Sequence, residues 1–209
     1  GKNGGIGGIS GYSWGTQIDE CYNQGNINSK AYAVGGISGF FQTSWVENSY
    51  NKGEISGSSY IGGITAQLYK YASIIDCYNV GNLYNSDENP DRNVCIGGIT
   101  GWVSLSNYDE YKMQNCYNAG TVTENNVLNE KLVYAGNIIG KYENGLINNC
   151  YYLNNEINPI GEGNYENSES LIKLNKEELK SKDIIQKLNM ENDAYCVDNI
   201  ESNNGFVLA

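Results

Sequence analysis

Two short phrases alternate along the chain, and this repetition limits the possible folds more than any other feature. The first phrase reads Ile-Gly-Gly-Ile-Ser-Gly and the second reads Cys-Tyr-Asn-x-Gly-x-Ile, with small changes between copies. Copies of the first phrase are Ile6–Gly11, Val34–Gly39, Ile61–Ala66, Ile96–Gly101 and the degraded Ala135–Gly140. Copies of the second are Cys21–Ile27, Ser49–Ile55, Cys77–Leu83, Cys116–Val122 and the degraded Cys150–Glu156. Repeats of this length are typical of stacked structural units.

The spacing and composition of the unit favour β-structure. Equivalent positions lie 28 residues apart from Cys21 through Ser49 to Cys77. Short β-branched and aromatic patches alternate with Gly and Asn, and helical periodicity is lacking. These properties predict an all-β, right-handed parallel β-solenoid (β-helix) of about five coils, the handedness following from the crossover rule for parallel strands. We expect three short strands and three corners in each coil.

If the coils stack in register, each repeated side chain should point either into the interior or outward in every coil. Both apolar residues of the first phrase should turn inward across a Gly-Gly bend, and the Cys/Ser position should fill the interior. The next residue should then form an exposed aromatic ladder of Tyr22, Tyr50, Tyr78, Tyr117 and Tyr151. Asn23, Asn51, Asn79 and Asn118 should bond one another at a corner. Gly25, Gly53, Gly81 and Gly120 should adopt the left-handed conformation there.

The repeat stops near residue 156, which divides the chain into a solenoid (1–156) and a C-terminal capping segment (157–209). Leu171–Leu188 has spaced apolar residues, and Asn175 with Glu178 forms a capping-box pattern, so we expect one or two short helices and a terminal strand. The apolar helix face should cover the core of the last coil. We expect a monomeric fragment of a longer chain with earlier coils before Gly1.

Composition excludes several classes of function. Histidine is absent and the net charge is −11. A Ser-His-Asp triad, a Cys-His dyad and a His-based zinc site are therefore impossible within this chain. Nucleic acid is excluded as a partner because a basic stripe is lacking. A run of 18 apolar residues is also lacking, so we expect no membrane insertion.

The cysteines and one acidic loop are the candidates for metal or redox chemistry. Stacked, in-register Cβ atoms lie slightly too far apart for a relaxed disulfide, so we expect buried free thiols, although an extracellular location favours disulfides. Asp87, Asn89 and Asp91 offer alternating oxygen ligands, as calcium loops do, but the glycine and glutamate of such loops are missing. We favour a polar turn around Pro90 and expect no cofactor.

Carboxylates are the candidates for catalysis, since parallel β-helices include glycan-cleaving enzymes that use two opposed carboxylates. Asp19, Glu20, Glu47 and Asp76 precede the Cys/Ser position in three coils. The alignment shows no obvious lateral pair, and Arg92 is the only arginine. We therefore expect a non-enzymatic chain.

A ligand surface is the remaining possibility. Two twelve-residue insertions, Tyr84–Cys95 and Thr123–Tyr134, leave the same corner of adjacent coils. Binding often occurs at such loops, although drift of a tolerated loop is the alternative. Candidate residues for a host glycan or protein ligand are Trp102, Tyr84, Arg92, Trp14 and Trp45. The tryptophans share no repeat position, so a regular platform is not predicted.

The two alternating phrases resemble GLUG-motif repeats, which occur in large bacterial surface proteins and beside IgA-specific metallopeptidases. Leu179–Asn189 and Asn204–Leu208 resemble the segment that often closes such arrays. The resemblance covers residues 4–156 and this tail, and carries no catalytic residues. It implies a secreted or wall-associated, adhesin-like domain that displays, adheres or acts as a rigid spacer. The alternative is an accessory module of a larger extracellular protease or glycan-active enzyme.

Overall fold

The protein is described by a computed structural model that covers residues 4–86, 93–104, 112–124, 132–153, 156–166, 168–189, 194–197 and 206–208. The chain winds through successive coils, and each coil adds one parallel strand to each of several sheets. The predicted parallel β-solenoid is confirmed, while its right-handed sense stays a prediction.

Each full coil contains five short strands, not three, because each phrase holds two strands separated by its own bend. Coil 1 consists of β1 (Gly5–Gly7), β2 (Ser10–Trp14), β3 (Gln17–Asp19), β4 (Tyr22–Asn23) and β5 (Ile27–Asn28). Coil 2 consists of β6 (Ala33–Gly35), β7 (Ser38–Gln42), β8 (Trp45–Glu47), β9 (Tyr50–Asn51) and β10 (Ile55–Gly57). Coil 3 consists of β11 (Tyr60–Gly62), β12 (Thr65–Tyr69), β13 (Ser73–Ile75), β14 (Tyr78–Asn79) and β15 (Leu83–Asn85).

Coil 4 keeps five strands, and coil 5 has four among the described residues. Coil 4 consists of β16 (Val94–Gly97), β17 (Thr100–Val103), β18 (Lys112–Gln114), β19 (Tyr117–Asn118) and β20 (Val122–Thr123). Coil 5 consists of β21 (Val133–Gly136), β22 (Ile139–Tyr142), β23 (Leu146–Asn148) and β24 (Cys150–Leu153). Two further strands, β25 (Ile160–Glu162) and β26 (Leu171–Leu174), still extend the solenoid beyond the sequence boundary at residue 156.

Equivalent strands form five parallel sheets, named A to E in chain order. Their members are β1, β6, β11, β16 and β21 in sheet A; β2, β7, β12, β17, β22 and β25 in sheet B; β3, β8, β13, β18 and β23 in sheet C; β4, β9, β14, β19, β24 and β26 in sheet D; and β5, β10, β15 and β20 in sheet E. Repeated residues pair with themselves, so Tyr22, Tyr50 and Tyr78 lie in one column of sheet D. The two long insertions both join sheet E to sheet A, although residues 87–92 and 125–131 lie outside the described part.

The first phrase supplies the interior from both sides of its bend. Val34, Ile61 and Ile96 belong to one buried cluster, with Leu83 and Val122. Ile37, Ile64, Ile99 and Ile138 belong to a second cluster, together with the buried Cys77, Cys116 and Cys150. The expected inward direction of both apolar residues is confirmed in coils 2 to 5, whereas Ile6 and Ile9 of coil 1 are exposed.

The cysteine column agrees with the prediction in coils 2 to 5, whereas Cys21 of coil 1 is only half-buried. Ser49, Cys77 and Cys116 are fully buried, and the five cysteines with described side chains are free. The thiols of Cys77 and Cys116 donate hydrogen bonds to carbonyls two residues earlier, those of Ile75 and Gln114, both at 3.1 Å. Burial raises the pKa of both thiols, so they remain protonated and unreactive at neutral pH.

A buried asparagine ladder joins the coils, as the sequence predicts. The Nδ2 of Asn23, Asn51 and Asn79 each donates to the Oδ1 of the next asparagine, at 2.8, 2.7 and 2.8 Å. The last acceptor in this series is Asn118. Each amide also bonds the backbone two residues later, as in Asn79 Nδ2 to the Gly81 carbonyl at 2.9 Å. Asn51 and Asn79 are fully buried, and their burial is tolerated because their amides form these hydrogen bonds.

The predicted left-handed glycines are wrong. Gly25, Gly53, Gly81 and Gly120 have no positive φ; φ near 50° occurs instead at the residue before the Cys/Ser position, in Glu20, Asn48, Asp76, Asn115 and Asn149. The glycines are needed for close approach of coils. A Cβ on Gly81 would lie 2.0 Å from the carbonyl oxygen of Gly53, and one on Gly53 would lie 2.0 Å from that of Gly25.

The tyrosine ladder is real, but only part of it is exposed. The rings of Tyr22, Tyr50, Tyr78 and Tyr117 stack with centroids 4.9–5.1 Å apart and interplanar angles of at most 9°. Tyr22 is 54% exposed, whereas Tyr78, Tyr117 and Tyr151 are buried. The expected exposed ladder is therefore wrong for its C-terminal half.

The C-terminal segment covers that half of the ladder. It contains a 3₁₀ turn (Ser168–Ser170), α1 (Lys176–Leu179), α2 (Lys182–Leu188) and the antiparallel pair β27 (Tyr195–Val197) and β28 (Phe206–Leu208). The predicted capping box of Asn175 and Glu178 is present. Leu179, Ile184, Leu188 and Tyr195 pack with the tyrosines, so the helices do not cover the core of the last coil as expected. The Tyr195 hydroxyl anchors the segment by donating to the Asn115 carbonyl at 2.7 Å.

Replacing Asn79 by alanine should destabilise the fold by about 3 kcal/mol, because it leaves buried partners on Asn51, Asn118 and Gly81 without hydrogen bonds. Urea denaturation followed by circular dichroism measures this change. Asn28→Ala, at an exposed position, is the control and should change stability by less than about 0.5 kcal/mol. Equal effects of the two substitutions would contradict the ladder.

Two substitutions at one repeat position test whether glycine is required there for the close approach of coils or for its backbone conformation. Gly81→Ala should destabilise by about 3 kcal/mol, because its Cβ would collide with the Gly53 carbonyl. Gly25→Ala should be nearly neutral, since its Cβ would meet only the Asn23 side chain at 3.7 Å. Thermal melts of both variants test this difference. Similar losses would instead point to a shared conformational requirement.

Candidate functional site

Aromatic side chains gather on the outer side of sheets A and B. In sheet B, Tyr12, Phe40, Gln67, Trp102 and Lys141 form one in-register column. Tyr32, Tyr60 and Tyr69 pack beside it. We call the six aromatic residues Tyr12, Tyr32, Phe40, Tyr60, Tyr69 and Trp102 the aromatic face. Their rings are joined by successive pairs with centroids 4.6–6.4 Å apart.

Trp102 lies at the packed end of this face. Its ring is tilted against Tyr60 at 4.8 Å, and the Lys141 ammonium lies 5.6 Å from its centroid. The indole Nε1 donates to Glu143 Oε1 at 3.1 Å. Tyr60 in turn accepts a hydrogen bond from the Tyr32 hydroxyl at 2.8 Å, and burial raises the pKa of Tyr60. These groups hold Trp102 rigidly in place.

The other end of the aromatic face opens into a cleft of about 640 Å³. Its described lining residues are Gly4, Gly5, Gly11, Tyr12, Phe40, Gln42 and Tyr69. The cleft exists because Gly5 and Ala33 occupy the sheet A positions where coil 3 carries Tyr60. The Tyr12 hydroxyl donates to Gln42 Oε1 at 3.1 Å, which orients both side chains at the rim.

The structure does not bring the other predicted ligand residues together. Trp14, 70% exposed, ends β2 in sheet B, and Trp45, 42% exposed, begins β8 in sheet C. Tyr84 lies in sheet E, where its hydroxyl donates to Glu54 Oε1 at 3.0 Å. Arg92 and the calcium candidates Asp87, Asn89 and Asp91 lie outside the described residues.

Two of the acidic residues before the Cys/Ser position stack on each other. Asp19 and Glu47 share one repeat position, 28 residues apart, and are register partners on β3 and β8. Asn48 Nδ2 donates to Asp19 Oδ1 at 2.9 Å, and Asn115 Nδ2 donates to Asp76 Oδ1 at 3.0 Å. Asp19 and Asp76 thus take part in a second side-chain ladder, which runs along the corner where residues with positive φ precede the Cys/Ser position. Within the described residues, no group of three or more Cys, Asp or Glu side chains is placed to hold a metal ion.

The cleft residues Tyr12, Phe40 and Tyr69 were missed by sequence reasoning. A signal was present, because the first phrase is followed directly by an aromatic residue in Gly11-Tyr12, Gly39-Phe40 and Gly101-Trp102. The outward direction of this position follows from the alternation along sheet B, where the next residue, Phe41, enters the core. What the sequence did not reveal is the glycine floor, which depends on how sheets A and B lie against each other.

Comparison with known proteins does not assign the chain to a family. No family model matches the chain, and a search of curated proteins finds no similar one. Among the described residues, neither helix has the length and apolar character needed to span a bilayer.

The surroundings of Glu47 predict that its substitution changes the stability of the fold in a pH-dependent way. The pKa of Glu47 is raised by burial and by the neighbouring Asp19 and Asp76. Since the folded pKa exceeds the unfolded one, ionisation of Glu47 destabilises the fold as the pH rises through the folded pKa. Glu47→Gln should therefore raise the melting temperature at pH 7, and this gain should vanish below about pH 4. Melting curves at both pH values test this; a gain that persists in acid would contradict the electrostatic cause.

Proposed function

We propose that this chain is a non-catalytic repeat domain of a secreted or surface-anchored bacterial protein, and that it displays an adhesive face on a rigid support. The observation that supports this most strongly is the in-register stacking of its coils through five parallel sheets. Such a unit extends by about 4.8 Å for every added coil. This regular extension suits a domain that acts as a rigid spacer for a displayed binding surface.

The distribution of side chains agrees with a structural role for most of the repeat. Apart from the half-buried Cys21 and Asn23 of coil 1, the described cysteines and ladder asparagines are buried and take part in packing or hydrogen bonding. The stacked tyrosines cover one another's faces, and the C-terminal segment packs on the buried members Tyr78, Tyr117 and Tyr151. These columns stabilise the support, and the net charge of −11 favours solubility.

The aromatic face favours adhesion over a pure spacer role. Its rings are tilted and separated by up to 6.4 Å, so parts of their flat faces remain open. Tyr12 is 58% exposed. The same face would serve an accessory module of an extracellular protease or glycan-active enzyme, which is the second candidate. The complete gene separates the two, since a zinc-protease HExxH motif favours the module and a wall anchor favours the adhesin.

The proposed location can be tested on intact cells of the source bacterium. Antibodies raised against the purified chain should label unpermeabilised cells or detect the protein in the medium. Proteinase K added to intact cells should remove the surface signal while a cytoplasmic marker survives. A signal that appears only after lysis would overturn the proposal.

A further inference from the structure

We infer that the cleft between coils 1 and 2 binds a neutral carbohydrate, with the Tyr12, Phe40 and Tyr69 rings as stacking surfaces and the Gln42 amide as a hydrogen-bonding group. This inference rests on the proposed adhesive function and names its ligand class. It concerns the glycine-floored end of the aromatic face and not the packed end at Trp102.

The ring geometry of the cleft suits flat, partly apolar sugar rings. Phe40 lies 6.2 Å from Tyr12 and 6.4 Å from Tyr69, with interplanar angles of 51° and 27°. The tyrosine ladder has 4.9 Å separations and angles of at most 9° between its buried members, which leaves no room between rings. The cleft, unlike the ladder, combines open aromatic faces with a cavity. Its volume of about 640 Å³ is in the range of small-ligand sites.

The polar groups of the cleft suit hydroxyls. Gln42 Oε1 is engaged by the Tyr12 hydroxyl, which leaves the Gln42 Nε2 as a donor at the rim. Gln67, between Phe40 and Trp102 in the same column, is fully buried and does not line the cleft. Burial raises the pKa of Tyr69, and the Gln67 side chain partly offsets that rise, which places Gln67 beside the Tyr69 wall. Gln67 therefore supports this wall, and Gln42 is the polar side chain of the cleft that a ligand hydroxyl can reach.

Charge restricts the ligand to a neutral one. The described lining of the cleft consists of glycines, aromatic residues and one glutamine, so it offers no ionic partner. The net charge of −11 disfavours an acidic polysaccharide over long range. A proline-rich peptide is the competing neutral partner, because such peptides also bind aromatic-lined grooves. The Gln42 donor at the rim, next to tilted and open aromatic rings, favours the hydroxyl-rich ligand.

Titration calorimetry of the purified chain with neutral cello-, xylo-, manno- and chito-oligosaccharides tests the inference. A polygalacturonate fragment and a proline-rich decapeptide are the comparison ligands. At least one neutral oligosaccharide should bind, and the polygalacturonate fragment should not. Tyr12→Ala should weaken binding about three- to tenfold, the loss expected for one aromatic stacking contact. Tyr12→Phe should lose less, because it keeps the ring.

Tyr71→Ala is the matched control, since Tyr71 is equally exposed at 58% and does not line the cleft. It should leave binding unchanged, and thermal melts should show that all three variants remain folded. Binding of no neutral oligosaccharide, binding of the peptide alone, or equal affinities for Tyr12→Ala and the unsubstituted chain would each overturn the inference. Failure here leaves the surface-labelling result untouched, so loss of the ligand assignment is distinguishable from loss of the proposed function.

Discussion

The fold depends on like side chains lying directly above one another at the spacing of parallel strands. A buried asparagine amide needs two donor partners and two acceptor partners, and Asn79 finds them in the neighbouring Asn51 and Asn118 and in the backbone of Gly81. A shift of one residue between coils would remove Asn79 from Asn51 and leave several buried polar groups unpaired. The ladder therefore fixes the register that the apolar interior alone would leave less well defined.

Close approach of coils follows from the same constraint. The second-phrase glycines let one corner rest on the carbonyl of the corner below. The second glycine of the first phrase has a related role, since a Cβ on Gly36 would lie 2.8 Å from the Asn51 side chain. Asparagine and glycine columns thus lie against each other between the two apolar clusters. This explains why the repeat keeps glycine in backbone conformations that other residues could adopt.

Aromatic residues have two separate roles that depend on their neighbours. Stacked tyrosines of sheet D give a continuous column, and the C-terminal segment uses its far end as a docking surface through Leu188 and Tyr195. On sheets A and B the same residue types are tilted and interrupted by glycine, so a cavity remains. A repeated aromatic position is therefore structural where it stacks with itself and available for binding where its neighbours are small.

The amino-acid sequence by itself determined the solenoid, the inward columns, the asparagine ladder and the capping box, because each is encoded by a residue at a fixed repeat position. It did not determine the number of strands per coil, the reason for Gly81 or the burial of Tyr117. Only the tertiary structure decided these features. They depend on distances between segments far apart in the chain, such as the docking of Tyr195 on Asn115. The glycine-floored cleft belongs to the same class, since it arises where small residues of sheet A face large ones of sheet B.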